Sequence, residues 1–195
     1  MINPFPDEAI REFLAQAGGR NRYLFALANA QRAVVMADDA VGGLVEIDRR
    51  TVDAALESCW AVAEGASSDR LHEHAEPLFD RMVPDDDDEY SPYHSAVNSA
   101  LAALVYAIES AGGGDTADSA YFAASSMFDL ADYLLHRNRT GDYVNDLSAE
   151  PITALAAACV VVDMERLSPD AVPVDLRELG QRPVDEGHQI ASLAS

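Results

Sequence analysis

A chain of 195 residues with 49% hydrophobic content is long enough to close one core without a second domain. Its formal net charge of −21 argues against binding a phosphate backbone, which takes a basic face, and the same field repels anionic membranes. The two cysteines, Cys59 and Cys159, each lie inside an apolar stretch and fit buried thiols of a reducing compartment rather than a disulfide framework.

Apolar residues recur at helical spacing and nowhere in a sustained alternation, which predicts an all-α fold. Asp7 to Ala17 reads as a first short helix, stopped by Gly18 and Gly19. Asn21 to about Ala40 reads as the second, ended by Gly42 and Gly43, and a third follows Asp48 and stops at Gly65. Ser68 is placed to cap a fourth, in which Pro77 implies a kink or a late start. Ser91 and Pro92 then open a fifth helix with Val97, Leu101, Leu104 and Ile108 on its seam. The glycines at 112 to 114 stop it, and Asp115 or Thr116 caps a sixth that carries Tyr121, Ala124, Phe128, Ala131 and Leu135. So short a connection predicts that the fifth and sixth helices form a central antiparallel hairpin. Glu150 to Leu167 reads as the seventh helix. From Ser168 to Ser195, prolines and charges predict a partly ordered tail with one short helix in VDLREL. The expected architecture is a single-domain bundle of about seven helices over residues 1–167, followed by that tail.

The amino-terminal MINPFPDEAI lacks the basic and apolar regions of a signal peptide. The longest apolar run, Ile152 to Val162, ends at Asp163, too short to cross a bilayer. A soluble cytoplasmic protein is expected. All thirteen basic residues are arginine, which reads as genome bias or adaptation to high salt.

The run HAEPLFDRMVPDDDDEYSPYHSAVNSALAALVYAIES, followed by DTADSAYFAASSMFDLADYL, resembles the YjaG-like family of bacterial helical proteins of unknown function. The matching positions are Phe79, Val83, Pro84, Asp85 to Asp88, Tyr90, Ala96, Ala100, Ser125 and Ser126. RRTVDAALESCW is similar to the family's earlier segment ending near a tryptophan, here Trp60. The resemblance spans residues 20 to 165, implies an all-helical fold and brings no activity with it. The alanine- and valine-rich C-terminal segment and its proline-containing tail depart from the family.

Two groups of residues could carry function. Asp85, Asp86, Asp87, Asp88 and Glu89 lack the glycine and the alternating carboxylates of a calcium loop, so they read locally as a solvated entrance to the fifth helix. With Tyr90 and Tyr93, both expected to be partly exposed, they also make a surface suited to a basic protein partner. On the sixth helix Ser125, Asp129, Asp132 and His136 recur along one stripe. That stripe is the wet side of an amphipathic helix or, if His94 or Asn98 converges on it, a divalent-metal site.

Other chemistry is poorly supplied. No glutamate has a histidine three residues later, His72 and His74 flank Glu73 at a spacing that points them apart and are expected on the surface, and no phosphate loop or nucleophile elbow occurs. The leading expectation is therefore a protein-binding module without catalysis or cofactor, with an inhibitor or immunity-type protein for a basic partner, or a mimic of nucleic-acid charge, as special cases. The alternative is a metal-dependent hydrolase of a small substrate using Asp129, Asp132 and His136. A homodimer through the alanine-rich face of the fifth or seventh helix is compatible with either.

Overall fold

The computed structural model describes residues 4–88, 90–112, 116–137 and 146–194. Eight α-helices and two 3-10 turns occur among them, with no strand. In order these are α1 (Asp7–Gln16), α2 (Gly19–Val41), α3 (Glu46–Ala63), a 3-10 turn (Leu71–His74), α4 (Ala75–Phe79), α5 (Pro92–Ser110), α6 (Ala117–His136), a 3-10 turn (Leu147–Ala149), α7 (Pro151–Arg166) and α8 (Leu176–Ser192). No described helix is long and apolar enough to cross a membrane.

The middle of the bundle is α2, which packs against α5, α6 and α8. Alanines supply much of its buried surface, from Ala26, Ala28 and Ala30 to Ala33 and Ala37, and so let three neighbours approach on different sides. Its end is set by glycine: Gly42 adopts φ 73°, a left-handed conformation open to glycine at little cost, and its amide turns back onto the last carbonyls. Asp38 then ties the connector down, accepting from the Leu44 amide at 2.7 Å and from Arg49 of α3.

The expected hairpin is present. Near the end of α6 the Tyr133 hydroxyl donates to Pro92 O at the start of α5 at 3.2 Å, while Ser119 near the start of α6 donates to Glu109 near the end of α5 at 3.3 Å. The two helices are therefore antiparallel. Thr116 precedes α6 without a side-chain capping bond, and the alternative cap Asp115 lies outside the described residues. Proline at the first position of α5 follows an extended Ser91, as expected, but the Ser91 hydroxyl pairs with His94 Nδ1 at 3.1 Å instead of capping an amide. Around Pro77 the chain forms a 3-10 turn and a single five-residue helix where a longer helix was anticipated.

The largest departure is at the C-terminal end. Instead of a partly ordered tail with one short helix, residues 176–192 form α8, and it packs along α2. Leu179, Pro183, Gly187 and Ile190 make its buried stripe. Two of these are helix breakers in isolation, so the sequence pattern reads as interrupted. In the folded chain the glycine has a steric role. A Cβ at Gly187 would lie 2.8 Å from Val35 Cβ and 3.0 Å from Arg32 O, so its absence lets α8 approach the α2 backbone.

Candidate functional site

Aspartates 85 to 88 are exposed on a turn between Val83 and the start of α5. The turn is drawn in by backbone bonds from Asp87 N to Pro84 O at 3.1 Å and from Tyr90 N to Asp87 O at 3.0 Å. One of its ends is clasped by the Asn98 carboxamide, which accepts from Val83 N at 3.1 Å and donates to Val83 O at 2.6 Å. A single side chain thus replaces a backbone partner on both groups of one residue.

The other end is held by Tyr93. Its hydroxyl donates to Asp48 Oδ2 at 2.6 Å and accepts from Val45 N at 3.1 Å, fixing the first turn of α5 to the first turn of α3 and the residue before it. Desolvation, then the bond to Asp48, pushes the Tyr93 phenol up to about 12, so it stays a neutral donor. Tyr90 and Tyr93 are both half-buried and flank the His94 ring, with centroid separations of 6.1 and 5.5 Å. Glu89, assigned to the same surface, lies outside the described residues.

Tyr133 is also close to this turn, through its bond to Pro92. Tyr121 belongs elsewhere: its hydroxyl donates to Asp7, and Arg11 lies 4.0 Å over its ring.

Among the described residues, the helix-six stripe does not gain the converging group on which the alternative metal site depended. Asp132 and His136 lie together, with His136 Nδ1 3.2 Å from Asp132 Oδ1 and 2.9 Å from Asp132 O. Asp129 is exposed one turn earlier, and its carboxyl is raised above its ordinary value by desolvation and then by Asp132, against a hydrogen bond from Ser125. His94 is engaged with Ser91 and the two tyrosine rings, and Asn98 with Val83. Among the described residues, no group of three or more His, Cys, Asp or Glu side chains is placed to hold an ion. The physical reason is that one helix face supplies adjacent ligands but no second described element brings others to meet them.

His72 is exposed as expected. His74 is not: it is half-buried, and its Nε2 lies 2.9 Å from Ser58 Oγ of α3. Cys59 and Cys159 are buried free thiols, pushed up by desolvation to about 12 and about 11 respectively, and therefore poor nucleophiles. On α5, Ala96, Ala100, Ala103 and Ala107 are all buried inside the bundle, so that alanine face is not open to a second copy. On α7, Ala158 and Val161 face outward.

The most developed polar cluster is one the sequence did not disclose. Arg32 of α2 is 0% exposed. Its Nη1 donates to Asn29 Oδ1 at 3.0 Å and its Nη2 to Asp163 Oδ2 of α7 at 3.1 Å, while Nη2 and Nε both reach Glu186 Oε2 of α8, at 2.5 and 3.1 Å. Arg182 closes the ring, donating to Glu186 Oε1 at 2.9 Å and to Asp163.

Two cations and two anions alternate in this ring, and the set is neutral. Burial opposes the Arg32 charge, but Asp163 and then Glu186 outweigh it and hold the guanidinium charged. With every carboxylate oxygen occupied by an arginine, the ring offers no open carboxylate to a cation and serves to dock α8. The signal that could have exposed it is a charge inside an apolar run: Arg32 in ANAQRAVVMA and Asp163 at the end of AAACVVVD. No family model, curated protein or solved structure was found to match the chain.

Proposed function

We propose that the protein is a non-catalytic binding module that presents Asp85 to Asp88, flanked by Tyr90, to a basic surface of a protein partner in the cytoplasm. One observation carries this reading: four consecutive exposed aspartates stand on a turn whose two ends are hydrogen-bonded to the bundle through Asn98 and Tyr93. A charged segment held in this way loses little conformational freedom on binding, and its field speeds encounter with a cationic partner. The resemblance to YjaG-like proteins adds no activity to this reading, and no observation favours the metal-dependent hydrolase over it.

The test uses an arginine-rich peptide as the basic probe, titrated into the full-length protein while backbone amide resonances are followed at low and high salt. Shifts concentrated between Val83 and Asn98, reduced at high salt and weakened by Asp86→Asn with Asp87→Asn, are the expected outcome. Shifts of equal size over the whole acidic surface, or an affinity unchanged in the double variant, would refute it.

A further inference from the structure

Between the C-terminal half of α3 and the 3-10 turn at Leu71–His74 lies a cleft of about 190 Å³. Its polar wall is Ser58, Ser67, Arg70 and His74, and its apolar wall includes Val62 and Leu71. No carboxylate lines it, in a chain with 34 acidic residues. Two concavities elsewhere differ, one lined by Asp7, Glu8 and Glu12 and another by Glu76 and Asp80, whereas a third, with Arg20 and Arg166 in its wall, is also free of carboxylates.

The donors on the polar wall are available to a ligand. Arg70 spends its Nε and one Nη2 hydrogen on Glu73, at 2.9 and 2.7 Å, leaving the other three of its five N–H donors for a ligand. The Ser67 hydroxyl oxygen accepts from Asp69 N at 3.2 Å, which orients the group and leaves its hydrogen to donate. Ser58 Oγ is 2.9 Å from His74 Nε2. When Nε2 carries the proton, the imidazole donates to Oγ and the Ser58 hydrogen turns to another acceptor.

We propose that this cleft binds a small monocarboxylate with a short apolar tail. The carboxylate meets Arg70 and the two hydroxyls, and the tail lies on Val62 and Leu71. A single arginine beside apolar carbon suits one negative charge better than two, because the net charge of the chain penalises a dianion more. This site is independent of the acidic turn and stands or falls without it.

The experiment titrates isobutyrate, formate and inorganic phosphate into the full-length protein at constant ionic strength and follows the amides of Ser58, Val62, Ser67 and Leu71. Isobutyrate is expected to give saturable shifts there, with formate and phosphate weaker. Arg70→Gln is expected to weaken isobutyrate by about tenfold through loss of a charge-assisted contact, with an unchanged melting temperature because Arg70 is exposed. Glu73→Gln, which releases the guanidinium from a surface pair, is expected to tighten it by about threefold. No saturable shift with isobutyrate, equal binding of phosphate or formate, or an Arg70→Gln variant that binds as before would each overturn the proposal.

Discussion

Around Arg32, four charged side chains from three helices are joined, with Arg32 and Asp163 buried and Arg182 and Glu186 half-buried, whereas between Pro84 and Tyr90 four aspartates stand exposed at the surface. In the first region charge decides where α8 sits. In the second, an amide and a phenol, Asn98 and Tyr93, hold the ends of the turn, and the four aspartates stand in water. The two regions show that an ionic group matters to the fold in proportion to its removal from water, so neutralising charge should have opposite consequences in them.

The most severe way to break the comparison is Asp163→Ala. It leaves Arg32 and Arg182 facing each other without the carboxylate that both use, and about 3–5 kcal/mol of stability should be lost in chemical denaturation. Gly187→Ala attacks the same contact sterically, through overlap with Val35 and the Arg32 carbonyl, and should cost about 1–3 kcal/mol. If Gly187→Ala proves neutral, α8 is held less closely than the backbone distances indicate.

On the other side, Asn98→Ala removes the clasp on Val83 and should cost about 1–2 kcal/mol, with faster hydrogen exchange at the Val83 amide. Asp86→Asn with Asp87→Asn should change stability by less than about 0.5 kcal/mol, with any gain confined to low salt. A large loss from that pair would mean that the exposed aspartates have a structural role after all.

The smallest effect separates two aspartates by pH. Burial raises Asp38, but the bonds from Arg49 and the Leu44 amide outweigh it, so its folded value lies below the ordinary 3.8. Its contribution is present above 3.8 and is lost as pH falls through the lower folded value. Asp129 is raised, so its protonated form favours the fold: that contribution is complete below 3.8 and disappears as pH rises through the folded value. Asp129→Asn should therefore raise the melting temperature slightly at neutral pH, and the advantage should vanish in acid. Thermal melts across pH check both.

Much of this fold can be read along the chain. The seams of α5 and α6 repeat at helical spacing and glycine marks their junction, so both the helices and their antiparallel pairing follow from local chemistry. The exposure of Asp85 to Asp88 is legible for a similar reason, since contiguous carboxylates have no means of sharing a core. What stays hidden depends on partners distant in sequence. Arg32 meets Asp163 across 131 residues and Glu186 across 154, and although Arg32 and Asp163 each stand out against an apolar run, neither run says which charge its partner is. The helix-six stripe illustrates the converse: its spacing is real, but whether it becomes a metal site depends on a second element that the stripe itself cannot specify.

The long separation in the buried ring also orders events while the chain is being made. A ribosome delivers α2 well before α7 and α8, so Arg32 emerges when neither of its carboxylates has been synthesised. Until residues near Glu186 leave the exit tunnel, α2 must keep that guanidinium hydrated on a face that will later be covered. The central helix of the bundle therefore reaches its final surroundings only once α8 has emerged. A nascent chain stalled before Glu186 would carry Arg32 on an unfinished, water-facing surface, where holdase chaperones have their opportunity to act.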